Sequence, residues 1–264
     1  MKKFLVIGNP VQHSLSPKLH NYWLKRNNID AVYDKKEINE KDIKSIISEI
    51  KNEKINGINV TIPFKKSVIT FMDELSSEAK QSQSVNTIYT QRGKLIGHNT
   101  DISGFELGIK YSKYDVKNKI VFILGAGGVV PSIIIALKKM KISKIIISNR
   151  TKDRAEELKS IFNELELIDW GETPNFDMII NATSIGLKDK DEINLDFSKI
   201  EKGKFFYDII YSPQETNFLK KARDLGNKTE NGKKMFIYQA AAAFNIWHNL
   251  YPKIDEEVYK LFNK

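Results

Sequence analysis

A glycine-rich turn in the second half of the chain has the residue types and spacing that bind phosphate groups. The segment KIVFIL predicts a strand, a helical pattern follows it, and four small residues join the two: Gly125, Ala126, Gly127 and Gly128. Glycines in a strand–turn–helix setting expose backbone N–H groups at a helix N-terminus, where nucleotide phosphates bind. The third glycine of the usual G-x-G-x-x-G spacing is replaced by Val130. This turn therefore predicts a dinucleotide site in which helix and strand pack slightly further apart.

The next strand, KIIIS, ends in polar and basic residues where NAD-binding folds have an acid. Asn149, Arg150 and Thr151 follow it directly, and Arg154 lies one helical turn further on. An acid at this place hydrogen-bonds the ribose 2′-OH of NAD and repels a 2′-phosphate. Amide, hydroxyl and guanidinium groups instead bind that phosphate. We therefore predict NADP(H) over NAD(H), with arginines that are merely solvated as the alternative.

A later strand in the same half ends in three more polar residues. The segment FDMIINATS carries Asn181, Thr183 and Ser184 at its C-terminal end. Ligands of open parallel sheets bind along the edge formed by these strand ends. Thr183 is accordingly predicted to line the nicotinamide site, although a polar turn explains the same residues nearly as well.

The first hundred residues contain four polar stretches, each placed where a strand runs out into a loop or helix. They are NPVQHSLSPKLHN, INVTIPFK, SVNT and GHNTD. Between them, FLVIG and AVYDKKEI predict strands, and EKDIKSIISEI predicts a helix with apolar residues at three-to-four spacing. Ser16 is the expected N-cap of a helix that has Pro17 at its first position. The segment PFKKSVITFM predicts a helix, and VNTIYT and KLIGHN predict a hairpin across QRG.

Alternating strands and helices in both halves predict an α/β fold with mostly parallel sheets. The elements form two runs, so we expect two α/β domains around a cleft, the second a Rossmann-type dinucleotide-binding domain. After the second run, residues 235–251 predict a long apolar helix, and a short amphipathic one follows. Trp247 and the alanines at 240–243 indicate close helix packing.

Composition excludes several classes of protein. The chain has 264 residues, 41% of them apolar, and no cysteine, which excludes disulfides, thiolate metal sites and a cysteine nucleophile. The uncharged segment 120–137 approaches the length of a membrane span, but its glycines and Pro131 divide it into strand, turn and helix. The net charge of +9 comes from lysines spread along the chain, whereas nucleic-acid binders cluster them. We therefore predict a cytoplasmic protein that binds a small molecule and neither nucleic acid nor membrane, as a monomer or homodimer.

Taken in order, the motifs resemble those of the shikimate dehydrogenase family. They are HSLSP, NVTIPFK, the NT pair, GHNTD, GAGG, NRT-x-x-RA and a late G-x-x-M-x-x-x-Q, and they extend over essentially the whole chain. The set is specific, although each motif alone is common. The resemblance implies reversible NADP-dependent reduction of 3-dehydroshikimate to shikimate, a step in aromatic amino acid biosynthesis. It also implies a substrate-binding catalytic domain over residues 1–101, an NADP-binding Rossmann domain over 102–235, and C-terminal helices at 236–264 that return to the first domain.

The resemblance assigns roles to individual residues. Lys65 and Asp101 match the family's catalytic pair. The residues that match its substrate contacts are Ser14, Ser16, Asn59, Thr61, Asn86, Tyr211 and Gln239. The residues that match its cofactor contacts are Gly125, Ala126, Gly127, Gly128, Asn149, Arg150, Thr151, Arg154, Gly232 and Met235. A lysine ammonium can polarise a carbonyl and donate a proton to its oxygen while hydride reaches its carbon. An orienting role is the alternative for Asp101.

Two other functions and a metal site are weaker hypotheses. A quinate/shikimate dehydrogenase would accept quinate and often use NAD. The basic residues at 149–154 argue against this hypothesis. A relative that binds NADP(H) without catalysis would not need both Lys65 and Asp101. His13, His98 and Asp101 lack the spacing of a metal site, so no metal is predicted.

Overall fold

The computed structural model describes residues 1–188 and 190–262, and the chain divides into two compact units. The first contains Met1–Gly104 together with the chain from Ile237 onward, and the second contains Phe105–Phe236. Two helices, Asp101–Tyr111 and Lys233–His248, contribute residues to both units. Residues 263 and 264, which the predicted first domain includes, lie outside the described residues.

Strands and helices alternate along most of the chain. The strands are β1 (Lys2–Gly8), β2 (Ala31–Glu37), β3 (Gly57–Val60), β4 (Glu74–Leu75), β5 (Thr87–Gln91), β6 (Lys94–His98), β7 (Ile120–Leu124), β8 (Lys144–Ser148), β9 (Glu166–Ile168), β10 (Met178–Asn181), β11 (Phe205–Asp208) and β12 (Lys228–Glu230). The α-helices are α1 (Ser16–Arg26), α2 (Ile43–Lys51), α3 (Ser77–Ser82), α4 (Asp101–Tyr111), α5 (Val130–Lys139), α6 (Lys152–Ile161), α7 (Asn217–Asp224), α8 (Lys233–His248) and α9 (Glu256–Lys260). Short 3₁₀ helices occupy Glu40–Asp42, Ser67–Phe71 and Phe197–Lys199.

The first unit is built on a mixed sheet with the strand order β2-β1-β3-β5-β6-β4 among the described residues. Strand β1 pairs in parallel with β2 and β3, whereas β5 is antiparallel to β3 and β6. The predicted hairpin across QRG is confirmed as β5–β6. Its two-residue turn, Arg92 and Gly93, has positive φ at both positions, which is the backbone conformation that a tight hairpin needs.

The second unit has the strand order β12-β11-β10-β7-β8-β9, and neighbouring strands pair in parallel among the described residues. Read from β9, this is the 3-2-1-4-5-6 order of a doubly wound dinucleotide-binding sheet, whose order reverses between β7 and β10. The predicted α/β class, with a Rossmann-type second domain, is therefore confirmed. The edge strand β12 and the two-residue strand β4 were not predicted, because segments this short carry little periodic pattern.

Two local predictions in the first unit were wrong. Helix α1 begins at Ser16 rather than after it, and the residue before the helix is Leu15. The Ser14 hydroxyl accepts a hydrogen bond from the Ser16 N–H at 3.3 Å, so Ser14 closes the turn that leads into the helix. The segment PFKKSVITFM forms only the 3₁₀ helix at Ser67–Phe71. The Lys65 carbonyl accepts a hydrogen bond from the Val85 N–H at 2.9 Å, so it is not available for an α-helical hydrogen bond.

Helix α8 packs closely against the first sheet, as its small residues predicted. Ala240, Ala241 and Ala243 are fully buried. A Cβ added to Gly57, at the start of β3, would lie 2.4 Å from the Trp247 ring nitrogen, so glycine is required for this close approach. Helix and strand are thereby held at a distance that only small side chains allow.

A buried aromatic cluster in the first unit contains an imidazole. The His20 ring stacks on Tyr33 with centroids 4.1 Å apart and also contacts Trp23 and Trp247. Burial, followed by the charge of His248, lowers the pKa of His20 from its usual 6.5 to about 3. Among the described residues its Nε2 atom has no hydrogen-bond partner. His20 is therefore a neutral packing residue in the folded protein.

Replacing His20 with Phe should flatten the acid dependence of stability. The unfolded chain takes up a proton at His20 below pH 6.5, whereas the folded protein does so only near pH 3. Stability from the neutral ring is therefore present above pH 6.5 and falls as the pH drops. Between pH 6.5 and about pH 4, we expect the wild type to lose about 3 kcal/mol more than His20→Phe in its free energy of unfolding. Urea denaturation followed by tryptophan fluorescence at several pH values measures this difference, and equal slopes would contradict it.

Candidate active site

The side chains of Lys65 and Asp101 form a nearly buried ion pair in the first unit. The Lys65 Nζ atom lies 2.6 Å from Asp101 Oδ2, and the two side chains are only 13% and 7% exposed. Lys65 lies in the loop that follows β3, and Asp101 is the first residue of α4. A charged pair so far from water needs further polar partners to offset its desolvation.

The position of Asp101 is fixed by the start of its helix. The Asn99 side-chain oxygen accepts hydrogen bonds from the backbone N–H groups of Asp101, at 3.0 Å, and Ile102, at 3.3 Å. The Asn99 amide in turn donates to the Ser82 hydroxyl and the Ser84 carbonyl. Because the N-terminal end of a helix favours negative charge, this placement stabilises the Asp101 carboxylate.

Asn86 connects the ion pair to two threonines. Its Nδ2 atom donates to Asp101 Oδ1 at 2.9 Å and to the Thr100 hydroxyl at 3.0 Å. Its Oδ1 atom accepts from the Thr100 N–H at 2.8 Å and from the Thr87 hydroxyl at 3.0 Å. All of these side chains are buried. The amide plane of Asn86 is therefore fixed from both sides.

Asn59, on β3, extends the same network away from the ion pair. Its Nδ2 atom donates to the Asn86 carbonyl and to the Thr87 hydroxyl, each at 3.0 Å. Its Oδ1 atom accepts from the Tyr33 hydroxyl at 2.7 Å. The sequence indicated Asn59 as a substrate contact, yet both of its N–H groups and its oxygen are engaged inside the protein.

Three residues of this network were not among the predicted site residues. Thr87 and Thr100 belong to the motifs SVNT and GHNTD, so the sequence did contain a signal for them. Tyr33 lies in AVYDKKEI, where only an apolar position in an alternating strand could be expected. Its hydroxyl reaches Asn59 because strand pairing brings the two side chains together.

Ser14 and Thr61 lie on loops that leave the neighbouring strands β1 and β3, and Ser16 is the first residue of α1. The two loops are joined by a hydrogen bond from the Asn9 N–H to the Ile62 carbonyl at 3.0 Å. Ser14 and Thr61 are half-buried and Ser16 is buried. These three predicted residues thus share one end of the first sheet.

Three further features of the first unit bear on the predicted site. A Cβ added to Gly8 would lie 2.4 Å from the Thr61 methyl carbon, so the loops approach closely only because residue 8 is glycine. Gln239 lies on α8 and is half-buried. Lys66 is exposed, in contrast to its neighbour Lys65.

The glycine-rich turn of the second unit has the geometry of an anion cradle. Gly125 has φ of +112°, and a Cβ there would lie 2.9 Å from the Ala182 carbonyl oxygen, so both conformation and space require glycine. Its N–H donates to the Ser148 carbonyl at 2.8 Å. A Cβ built on Gly128 meets open space. No side chain of the described residues caps the N-terminus of α5, and its first turn has no acid, which suits a phosphate.

Asn149 ties the glycine turn to the basic segment after β8. Its Oδ1 atom accepts from the Ala126 N–H at 3.1 Å, and its Nδ2 atom donates to the Thr151 carbonyl at 2.6 Å. Arg150 and Arg154 are exposed. Within residues 1–188 and 190–262, no carboxylate forms an ion pair with either guanidinium group, so both can bind an anion.

A cavity of about 330 Å³ opens beside Arg150. Its walls are the ends of β8 and β9 and the start of α6, and its lining residues are Asn149, Arg150, Lys152, Ala155, Leu167, Ile168, Asp169, Trp170 and Glu172. It combines an indole surface with two cationic side chains and two carboxyl groups. An indole can stack on a base, and a cationic side chain can pair with a phosphate.

Thr183 is held in place by Asn181, whose side-chain amide is in turn bonded to a buried carboxyl group. Its N–H and hydroxyl both donate to Asn181 Oδ1, at 3.1 and 2.7 Å. The Asn181 Nδ2 atom donates to Asp208, which also accepts from the Thr216 hydroxyl and the Ile210 N–H. Burial raises the pKa of Asp208 to about 6. The loops after β10 and β11 are thereby joined.

The other predicted residues of the second unit follow β11 and β12. The Tyr211 ring stacks on Phe236 with centroids 4.4 Å apart. A Cβ added to Gly232 would lie 2.1 Å from the Ile209 carbonyl oxygen, so glycine is obligatory there. Met235 is buried.

Neither a metal cluster nor a membrane span is found in the part of the chain that the structure describes. No group of three or more His, Asp or Glu side chains in it could hold a metal ion. Likewise, none of its helices combines the length and apolar character needed to cross a bilayer.

Two family models match the chain, one on each unit. Residues 6–88 match the shikimate dehydrogenase substrate binding domain. Residues 108–209 match the model described as shikimate / quinate 5-dehydrogenase.

Complete relatives extend the match over the whole chain. Shikimate dehydrogenase (NADP(+)) of Pelagibacter ubique is 60% identical over 262 residues, which cover 99% of each protein. The crystal structure of shikimate dehydrogenase from Aquifex aeolicus has a TM-score of 0.91 at 37% identity and covers 99% of this chain and 97% of its own. The Thermus thermophilus shikimate 5-dehydrogenase in complex with NADP(H) and shikimate has a TM-score of 0.89 at 29% identity, with coverage of 99% and 97%. This chain belongs to the shikimate dehydrogenase family.

Proposed function

We propose that this protein catalyses the reversible, NADPH-dependent reduction of 3-dehydroshikimate to shikimate, a step in aromatic amino acid biosynthesis. The observation that carries the proposal is the buried Lys65–Asp101 pair, with 2.6 Å between Nζ and Oδ2, in a chain of this family. The half-buried hydroxyl groups of Ser14 and Thr61 and the buried one of Ser16 suit a small polyhydroxylated acid as the substrate. The lack of cysteine fits a reducing compartment, and we place the reaction in the cytoplasm.

Lys65 carries the proton in this reaction. Bound NADPH supplies the hydride to the substrate carbonyl carbon. The Lys65 ammonium donates a proton to the carbonyl oxygen as negative charge develops there, and it accepts the proton back from the hydroxyl in the reverse direction. Asp101 keeps the ammonium oriented, since its Oδ2 atom is engaged by Nζ while its Oδ1 atom is held by Asn86.

Neutral groups make the substrate contacts in this proposal. The proposed contacts in the first unit are Ser14, Ser16, Asn59, Thr61, Asn86 and Gln239, and Tyr211 of the second unit is a further one. Serine hydroxyls donate to the substrate carboxylate, and amide and threonine groups pair with its hydroxyls. A buried site built from such groups rejects an analogue that lacks a hydroxyl, because its own polar atoms would remain unpaired.

The second unit binds NADP(H). The proposed contacts are Gly125, Ala126, Gly127, Gly128, Asn149, Arg150, Thr151, Arg154, Thr183, Gly232 and Met235. The uncapped start of α5 receives the pyrophosphate, and the arginines receive the 2′-phosphate. The absence of a carboxylate partner for Arg150 and Arg154 among the described residues supports this assignment. A monomeric or homodimeric state remains a prediction.

One assay tests the function directly. Shikimate and quinate are each supplied with NADP⁺ and with NAD⁺, and formation of the reduced nicotinamide is followed by absorbance. We expect the highest kcat/KM for shikimate with NADP⁺. Comparable turnover of quinate would instead indicate a quinate/shikimate dehydrogenase, and no turnover of either acid would indicate a relative that only binds the dinucleotide.

Lys65→Ala should lower kcat by about 10² to 10⁴, the usual contribution of one general acid–base group. The dissociation constant for NADP⁺ should stay unchanged, because Lys65 lies in the first unit. Steady-state kinetics and a fluorescence titration measure the two quantities. Lys66→Ala is the matched control, since its side chain is exposed and the variant loses the same charge. Equal losses in the two variants would remove Lys65 from the mechanism.

Arg150→Ala should change cofactor preference more than turnover. A charge-assisted bond to phosphate contributes about 1.5–3 kcal/mol, so kcat/KM for NADP⁺ should fall about 10- to 100-fold while that for NAD⁺ stays nearly constant. The ratio of the two kcat/KM values measures the effect. Lys159→Ala, which removes an exposed positive charge near the far end of α6, is the control for a general electrostatic effect. The same change in both variants would argue against a specific phosphate contact.

A further inference from the structure

We propose that Tyr33, Asn59 and Thr87 are positioning residues that orient the catalytic pair through a one-directional chain of hydrogen bonds. The chain runs from the Tyr33 hydroxyl through the side chains of Asn59, Thr87 and Asn86 to Asp101. The inference rests on the proposed function, because it requires Lys65 and Asp101 to carry out the proton transfer.

A backbone carbonyl fixes the direction of the first links. The Asn86 carbonyl can only accept, so the Asn59 group that faces it at 3.0 Å must be Nδ2. The Asn59 oxygen must then face the Tyr33 hydroxyl, whose proton it accepts at 2.7 Å. A flipped amide would place two acceptors against each other and leave the tyrosine proton without this partner.

A backbone N–H fixes the direction of the last links. The Thr100 N–H can only donate, so the Asn86 atom that faces it at 2.8 Å must be Oδ1. The Asn86 Nδ2 atom therefore faces Asp101 Oδ1, to which it donates at 2.9 Å. Between the two amides, the Thr87 hydroxyl accepts from Asn59 and donates its single proton to Asn86 Oδ1 at 3.0 Å.

Every donor in the chain thus points toward Asp101. Hydrogen bonds arranged head to tail polarise one another, most strongly where water is excluded. Tyr33, Asn59, Thr87 and Asn86 are between 0% and 7% exposed, so the chain meets this condition. The carboxylate at its end receives a strengthened donor that holds Oδ1 and leaves Oδ2 to Lys65.

This arrangement gives Asn59 a role in addition to the substrate contact that the family resemblance implies. Both of its N–H groups and its oxygen are bonded to the protein, so it acts on Asp101 through Thr87 and Asn86. Asn86 contacts Asp101 directly and stays among the proposed substrate contacts. Thr87 is the central link, because its hydroxyl accepts from the Asn59 amide and donates to the Asn86 amide oxygen.

Thr87→Val tests the central link, because valine keeps the shape and removes the hydroxyl. We expect kcat for shikimate oxidation to fall about 5- to 50-fold, with KM for shikimate and for NADP⁺ nearly unchanged. Thr87→Ser, which keeps the hydroxyl, should restore most of kcat. Thr90→Val, an exposed position on the same strand, is the matched control. The proposal is overturned if Thr87→Val keeps wild-type kcat, or if it changes only the KM for shikimate.

A double-mutant cycle with Tyr33→Phe tests whether the effect travels along the chain. Phenylalanine keeps the ring that stacks on His20 and removes the proton that begins the chain. Alone, Tyr33→Phe should lower kcat less than Thr87→Val does. In the Thr87→Val background it should have no further effect, because the chain is already broken. Additive losses in kcat would contradict a shared chain and would leave two independent structural roles.

The same cycle separates this inference from the proposed function. Turnover of shikimate by the wild type tests the function and does not depend on any of these variants. The thermal unfolding midpoints of the single and double variants need no substrate, and a chain shared by Tyr33 and Thr87 makes their effects non-additive there as well. Additive shifts of the midpoint would overturn the chain even in a protein that turns over shikimate.

Discussion

The ion pair between Lys65 and Asp101 is the interaction around which the polar network of the first unit is arranged. Two opposite charges this deeply buried lose most of their hydration, and their mutual attraction offsets that loss only when other groups are correctly placed. The start of α4 supplies a favourable dipole for the carboxylate, and Asn86 supplies a donor to its second oxygen. Each of these groups comes from a different element. The pair therefore cannot form until the loop after β3, the start of β5 and the start of α4 have come together.

The register of the first sheet is what brings these elements together. Asn59 on β3 stands directly opposite Thr87 on β5, so the bond between their side chains is a cross-strand contact. The backbone of Asn86 bonds the Val60 N–H on one side and the His98 carbonyl on the other. A slip of one residue would turn Asn59 to the opposite face of the sheet and break the network at once. Neutral amides and hydroxyls suit this role because they fix direction without adding a charge that would compete with the ion pair.

Features that depend only on neighbours along the chain could be predicted from the sequence. A short stretch of sequence is enough to recognise each of four features, through required φ angles or a repeating pattern of residue types. They are the glycine turn, the basic segment at 149–154, the β5–β6 hairpin and the apolar helix α8. Elements whose form depends on a distant partner were missed. The segment PFKKSVITFM has a helical pattern, yet the Lys65 carbonyl accepts a hydrogen bond from the Val85 N–H in the loop before β5. Tyr33 lies two strands away from Asn59 in the sheet order, so its hydrogen bond could not be inferred before the strand order was known.

Asn149 stands where NAD-binding folds have an acid, and the hydrogen bonds of its side chain explain why. Its side chain accepts from the Ala126 N–H in the glycine turn and donates to the Thr151 carbonyl in the basic segment. A carboxylate could make the first bond but not the second, and its charge would repel a phosphate bound nearby. An amide does both without charge, so the glycine turn and the segment with Arg150 form one connected structure. The arginines on that segment have no carboxylate partner among the described residues, so no ion pair has to be broken when a phosphate binds. In the proposed function, the preference for the phosphorylated dinucleotide therefore depends on the backbone contacts of Asn149 as well as on the arginines.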